Sequence, residues 1–342
     1  MTENPIEIRD LSRYRNQLMG VAMLMVMLFH VGGMRHDTLL YCLSRCGNVG
    51  VDVFLFLSGI GLWFSWSKLR EPSGGTPQPI VPALKTFFRR RYVRIYPAWL
   101  VVACLYYVPL YADGKLGLAD TLLSIAANWG FWEHDELTFW FIPAIMMLYT
   151  VAPAYMELIR RHAVWRWMPV VAMLLCVLVQ YWPPLHHAVG HLEIFFSRIP
   201  IFLLGVNAGL WVADNRRLEP SALWLLLVLF VMSALVCVNF EDGLRGRFPL
   251  FMERMAYIPL TVSVAMLMCR LLRRTPSWVG GALAFVGGIS LELYLIHIQF
   301  VLIHIQPLHL GYWLTAAVTV GVSLVAAWLL HKAVAMVMRR CM

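Results

Sequence analysis

His30 ends the apolar run Gln17–Gly33 (QLMGVAMLMVMLFHVGG), and Asp52 lies near the start of a second one, Gly47–Trp66 (GNVGVDVFLFLSGIGLWFSW). Both runs are long and apolar enough to cross a bilayer. There an ionisable group costs about 3 kcal/mol or more unless it is paired or wetted, which makes the pair a candidate site. An imidazole, with an ordinary pKa of about 6.5, takes up a proton at neutral pH, so His30 is a candidate general base. A carboxylate beside it, here Asp52, would orient the ring and stabilise the imidazolium. A second cluster, RRRYVRIYP from Arg89 to Pro97, gathers four guanidinium groups. Arg91 and Arg94 are three residues apart and share a helix face, so with Arg90 nearby they could grip one phosphate through planar, bidentate donors. The ordinary reading of the same cluster is a membrane anchor supported by Tyr96 and Trp99.

The elements that must position these groups follow from composition. Hydrophobic residues make up 60% of the 342-residue chain and charged residues 14%, against roughly 25% charged in soluble domains. This excludes a soluble enzyme and makes the net charge of +9 a matter of loop topology rather than of nucleic-acid binding. Ten spans are expected, at about 17–33, 47–67, 93–112, 138–157, 166–183, 197–213, 221–239, 253–272, 281–306 and 312–334. The predicted fold is an all-α, polytopic membrane bundle of about ten helices. It forms a single domain over 1–342, with a cytoplasmic segment 1–16, a bundle 17–334 and a tail 335–342. The polar start of the chain has no cleavable leader pattern, and Asp120–Trp132 is too short to cross and reads as interfacial. Counted on alternate sides, 21 of the 28 Lys and Arg residues fall on the side of the N-terminus, which places both termini in the cytoplasm. No internal repeat of the transporter kind is visible, and Glu71–Pro82 reads as a flexible connection.

With that alternation, His30 lies about 18 Å beyond Leu18, in the outer half, and Asp52 falls at a similar depth. Arg198, Glu253 and Arg254 open the sixth and eighth spans from the same side, and Glu292 and His297 belong to the ninth. Each has a plain alternative: a lone His is often only an interhelical hydrogen-bonding residue, and Arg198, Glu253 and Arg254 could be solvated helix ends. Glu292 and His297 are five residues apart, roughly 140° around a helix, and would share a site only if the helix bends, as Gly287 and Gly288 would permit. His304 reads as an interfacial residue. Trp132, Trp140, Trp182 and Tyr257 could stack on sugar rings or simply form the interfacial aromatic belt. The cysteines show no metal-ligand spacing, and no metal is expected. Cys42 and Cys46 share a loop and could pair in an oxidising compartment.

These blocks together resemble the acyltransferase-3 family of integral membrane acyltransferases: LFHVGG with His30, GVDVFLFLSG, RRYVRIYPAW, FWFIPAIMMLY, RIPIFLLG and SLELYLIH, in the family's order over nearly the whole chain. The resemblance implies a ten-helix bundle in a bacterial inner membrane. It would take an acyl group, usually acetyl, from cytosolic acyl-CoA and deliver it to a hydroxyl of a cell-envelope or exopolysaccharide sugar. It also implies a stand-alone member without a fused extracytoplasmic domain. One position departs from the family: the Arg expected eleven residues before the helix-1 His is Met19, and Arg15, one turn earlier on nearly the same face, is the candidate to replace it. The acidic pair that many relatives carry in the fourth span is also missing, leaving Asp52 and Glu292 as the main buried carboxylates.

The resulting expectation assigns catalysis to His30 with Asp52, and the CoA nucleotide to Arg91, Arg94, Arg90 and Arg15. The carbohydrate or glycolipid acceptor falls to Glu292, His297, Arg198 and Trp140. His30 would act as base on the acceptor hydroxyl, or would itself be acylated in a ping-pong sequence. The rival from another class is a proton-coupled transporter or flippase for an amphipathic or glycan substrate, which would use the same polar layer. The arginine cluster aligned with that layer separates the two, since an acyl-CoA enzyme needs it and a flippase does not. A purely structural membrane subunit would leave the buried charges without a purpose.

Overall fold

The computed structural model describes residues 6–32, 41, 44–71, 76, 78–134, 136–242, 244 and 248–341. The described chain is helical apart from one two-stranded ladder, in which Ile6–Glu7 pairs antiparallel with Arg217–Leu218. The helices that matter below are α1 (Arg15–Val31), α2 (Val49–Arg70), α3 (Ile80–Ala112), α4 (Leu118–Ala127), α5 (Trp129–His134), α6 (Phe141–Arg161) and α7 (Met168–Tyr181). They continue with α8 (Ile199–Ala213), α9 (Ala222–Asp242), α10 (Leu250–Leu272), α11 (Ser277–Gly288), α12 (Ser290–Ile296) and α13 (Tyr312–Cys341).

Among the described residues eight helices are long and apolar enough to span a membrane, or nine if the bent pair Pro183–Phe196 and Ile199–Ala213 counts as one. The remaining expected span, the first, is α1, whose 17 residues sit at the short end of the roughly 17–25 residues a crossing needs. The protein is therefore a multi-pass helical bundle, as its hydropathy predicts. Loop contacts respect the expected alternation. On the face that carries the N-terminus, the ladder joins the chain start to the loop after α8, Arg273 Nε donates to Asp10 Oδ2 at 2.5 Å, and Arg70 Nε donates to Glu157 Oε1 at 3.0 Å. On the opposite face, here called the His30 face, Arg45 pairs with Glu241 at 3.6 Å and the Phe251 amide donates to Glu193 at 2.6 Å.

Two elements depart from the sequence reading in ways that bear on the site. The third span was expected from residue 93, but α3 begins at Ile80 and runs 33 residues. Nothing between Leu84 and Tyr96 breaks a helix, so the chain stays helical past any apolar limit, and Arg91 sits about 16 Å inside the helix rather than at its start. The ninth span was expected as one helix over 281–306. It divides at Ile289 into α11 and α12, and α12 passes into a π-helical turn over His297–Leu302.

Glycines set the packing around the site. A Cβ on Gly20 of α1 would lie 2.1 Å from the Leu283 carbonyl oxygen of α11, and one on Gly287 of α11 would lie 1.9 Å from that of Asn16. Likewise a Cβ on Gly205 of α8 would lie 2.2 Å from the Phe56 oxygen of α2. The backbones therefore touch directly, the small-residue packing by which helices associate where no hydrophobic driving force separates them from lipid. Gly287, which could have served a bend, serves a close approach instead. Asp120–Trp132 forms the short helix α4 and the start of α5, broken at Asn128 in the left-handed region (φ 49°). Cys42, the possible partner of Cys46, lies outside the described residues.

Candidate active site

Two cavities meet inside the bundle. The larger, about 560 Å³, lies toward the His30 face and is lined by His30, Asn48, the loop 137–140, Arg198, Glu253, Arg254 and Gln299, among others. The smaller, about 100 Å³, lies toward the N-terminal face and is lined by Arg15, Met19, Ser58, Arg91, Arg94, Tyr149 and Ser290, among others. Val26 of α1, Val51 of α2 and Tyr294 of α12 line both, so these three residues form the waist between the two cavities.

His30 stands in the wall of the larger cavity, and its ring partner is His297. His30 Nδ1 and His297 Nε2 are 3.2 Å apart. Nδ1 of His297 lies 2.9 Å from the carbonyl oxygens of Leu293 and Tyr294. Carbonyl oxygens only accept, so this nitrogen carries the hydrogen, and in a neutral imidazole Nε2 is then the acceptor. His30 Nδ1 must donate to it, which leaves the lone pair of His30 on Nε2.

Asp52 is fully buried beside a different group. Its oxygens lie 3.4 Å from Arg198 Nε and 3.9 Å from Arg254 Nη1, and no hydrogen bond joins it to His30 among the described residues. The expectation that Asp52 orients His30 is thus corrected: the second span opens with Asp52 facing α8 and α10, and a histidine takes the orienting place. Arg198 donates further to Asn48 Oδ1 at 3.0 Å and to the Ile194 carbonyl at 3.1 Å, and its guanidinium lies 4.9 Å over the Trp140 ring. Arg254 also pairs with Glu253 at 3.2 Å and covers the Tyr257 ring at 4.4 Å. The reading of Arg198, Glu253 and Arg254 as solvated helix ends fails, since all three are at most 8% exposed. Each arginine of this network, Arg45 with Glu241 included, has a carboxylate within 4 Å, so the large cavity has balanced charge.

The small cavity is the reverse. Arg15, Arg91 and Arg94 converge on it, and none of them has a carboxylate within 4 Å among the described residues. Arg15 is held by a hydrogen bond from Nε to the Leu57 carbonyl at 3.3 Å, and it passes close to Gly61, where a Cβ would lie 3.2 Å from Nε. Met19 lines the same cavity one turn above, so the arginine one turn early does reach the space expected of it. Arg91 packs 5.6 Å over Phe87, and its Nε is buried without a hydrogen-bond partner. Arg90 is exposed on the outside of α3 and lines neither cavity.

Other expected substrate contacts separate. Glu292 faces away from both cavities toward α13, where its Oε1 lies 2.7 Å from His331 Nδ1. His297 stands behind His30 instead of in the cavity wall, as the angle between positions 292 and 297 on a helix required of one of them. Among the four outer aromatics only Trp140 lines the large cavity: Tyr257 is buried under Arg254, Trp182 is exposed, and Trp132 packs on Phe131 and Phe195. The sequence reading missed Tyr294, although it lies inside the SLELYLIH block that was singled out. It also missed the brace under the loop 137–140. There Tyr107 donates to Asn128 Oδ1 at 2.5 Å, Asn128 Nδ2 donates to the Thr138 carbonyl at 2.8 Å, and Phe139 is held in the left-handed region at φ 55°. Glu136 joins this brace through the Tyr107 hydroxyl. Burial raises its carboxyl above the usual glutamate range, against the opposing pull of that hydrogen bond.

The multi-pass bundle thus encloses two cavities that share a waist, one lined by three arginines without carboxylate partners among the described residues and one with paired charges and His30 in its wall. The family comparison gives the class. The acyltransferase domain that defines the acyltransferase-3 family matches residues 16–332, so the chain belongs to that family. The chain is also similar to the regulator of hypoxia-inducible factor 1 of Caenorhabditis elegans, 23% identical over 187 residues, which is 46% of this chain and 35% of that protein. It thus spans about a third of that relative's length. No solved structure matches it.

Proposed function

We propose that the protein transfers an acyl group, an acetyl in the simplest case, from acyl-CoA in the cytoplasm to a hydroxyl of a cell-envelope sugar, in the inner membrane of a bacterium. The observation that carries this reading is the waist: three carboxylate-free arginines on one side of it and the free lone pair of His30 on the other. The abundance of Lys and Arg on the N-terminal face assigns the small cavity to the cytoplasm. Arg15, Arg91 and Arg94 would bind the phosphates of CoA there, and the pantetheine arm would lead the thioester up to the waist. The large cavity, with paired charges and the face of Trp140, suits a hydroxyl-rich, uncharged ring. His30 Nε2 would take the proton of the acceptor hydroxyl while its oxygen attacks the thioester carbon. The resulting imidazolium would keep its Nδ1–H bond to His297. Collapse breaks the C–S bond, and the thiolate takes the proton back from His30. The chemistry written this way calls on no metal.

The test is acyl-CoA turnover by purified protein, followed as released thiol, together with mass analysis of envelope glycans from cells with and without the protein. Thiol release and an acetyl-sized mass difference, both abolished by His30→Ala in protein that still accumulates, are expected. Normal transfer by that variant overturns the assignment, and glycan transport without thiol release would return the protein to the flippase class.

A further inference from the structure

We propose that the Tyr294 side chain is a catalytic residue, donating its phenolic hydrogen to the thioester carbonyl oxygen as that atom becomes an oxyanion. The inference rests on the acyl-CoA reading above and names a residue that reading leaves idle.

Of the three residues that line both cavities, where donor and acceptor must meet, Tyr294 alone carries a polar side chain. Its hydroxyl accepts a hydrogen bond from the Phe141 amide at 3.1 Å. That amide is one of the first in α6, where helix N–H groups have no partner within the helix. The bond fixes the hydroxyl oxygen in place and uses only its lone pair. A phenol has one hydrogen to give, and no acceptor for it is found among the described residues. A donor held by the scaffold, with its hydrogen unspent at the edge of a cavity, is what stabilisation of a developing negative charge requires, because no reorganisation is then needed during reaction. The ring is braced on both sides, 5.4 Å from Phe141 and 6.1 Å from His297, and the Tyr294 carbonyl holds His297 in the tautomer that orients His30. One residue therefore sets the base through its backbone and faces the electrophile with its side chain.

The step balances without further reagents. The nucleophile, whether the acceptor oxygen or His30 Nε2, forms a bond to the thioester carbon. The carbonyl π pair moves onto oxygen and receives the Tyr294 hydrogen bond. It then returns as the C–S bond breaks and the thiolate leaves. Tyr294 keeps its proton throughout, lowering the barrier as one donor of an oxyanion hole.

The experiment compares wild type, Tyr294→Phe and a protein carrying 3-fluorotyrosine at position 294, by thiol release across acyl-CoA concentrations. Tyr294→Phe keeps the ring packing and removes only the hydroxyl. We expect kcat to fall about 100-fold, the cost of one oxyanion donor, with the KM for acyl-CoA within about twofold. The fluorinated residue keeps the acceptor lone pair and gives a more acidic O–H. Its kcat should stay at or above wild type and its pH profile should shift, which a merely structural tyrosine would not produce. A kcat within threefold of wild type for Tyr294→Phe overturns the proposal. Should that variant not accumulate, an unchanged kcat and pH profile of the fluorotyrosine protein overturns it instead. Absence of thiol release from wild type would refute the acyl-CoA reading itself, a result distinct from either.

Discussion

Replacing His297 by Leu tests the geometry behind His30 most directly. The side chain is completely buried and lines neither cavity, so Leu fills its volume without touching substrate. What disappears is the acceptor 3.2 Å from His30 Nδ1. In the resting ring that bond joins two neutral groups and is worth about 1 kcal/mol. Once His30 takes up a proton it becomes charge-assisted and is worth about 1.5–3 kcal/mol. The difference of about 0.5–2 kcal/mol, at about 1.4 kcal/mol per tenfold, gives an expected loss in kcat of roughly two- to thirtyfold. The KM for acyl-CoA should be unchanged, because the arginines lie on the other side of the waist. His297→Gln can return an amide oxygen to the same place and should recover most of the loss. Steady-state thiol release by purified protein gives both constants, and thermal melting shows whether the fold is retained. A kcat within twofold of wild type for His297→Leu, or a loss as deep in His297→Gln, refutes the reasoning.

Arg91→Ala and Arg94→Ala should each raise the KM for acyl-CoA roughly tenfold, while Arg90→Ala, outside both cavities, should leave it unchanged; equal effects at all three positions in the same kinetic assay would return the cluster to a membrane anchor. Asp52→Asn takes the carboxylate from between Arg198 and Arg254 and should destabilise the fold by about 3 kcal/mol, seen as a lower melting temperature. If folded Asp52→Asn protein instead loses turnover as deeply as His30→Ala, Asp52 acts on His30 after all. Gly205→Leu, whose Cβ would lie 2.2 Å from the Phe56 oxygen, should prevent accumulation of folded protein, whereas Gly280→Ala meets open space and should behave as wild type in detergent gel filtration. Tyr107→Phe should loosen the loop that carries Trp140 and raise the KM of the acceptor several-fold without changing that of acyl-CoA, measured by varying each substrate in turn.

What the sequence made legible follows from what fixes each feature. Span positions depend on local hydropathy, and each of the ten expected spans has a helical counterpart. The depth of His30 and the reach of Arg15 follow from a 1.5 Å rise per residue and were readable for the same reason. The partner of His30 was not. Asp52 shares its depth, and depth is all a hydropathy pattern gives; which residue faces which depends on the rotation of α2 about its axis. That rotation is set by Gly50, Gly59 and Gly205, whose contacts are with other helices' backbones. Which of Glu292 and His297 meets His30 was hidden for the same reason, since it depends on the rotation of α12 about its axis. Burial of Arg198 and Arg254 was missed because a charged helix end looks the same in sequence whether water or another helix covers it.

The distribution of glycines and arginines explains why the reaction would be confined to the waist. α1 carries both Arg15 and His30, and its N-terminal half is locked to α11 backbone against backbone at Gly20 and Gly287. α12 follows α11 after one residue and brings Tyr294 and His297, so base, orienting ring and waist tyrosine are all referred to the same contact. A shift of α1 along α11 would displace His30 and Arg15 together, keeping their separation, but would break the bond of His30 to His297. The distance from Arg15 to His30 is therefore set within one helix, and the orientation of His30 is set between two. A donor that fills the arginine cavity would measure its own length against α1, and a chain too short to bring its thioester to Tyr294 would bind without reacting. A CoA ester truncated in its pantetheine arm should accordingly compete with acyl-CoA for the arginines yet release no thiol, and turnover of such an ester at the normal rate would separate the arginine cavity from the reaction path.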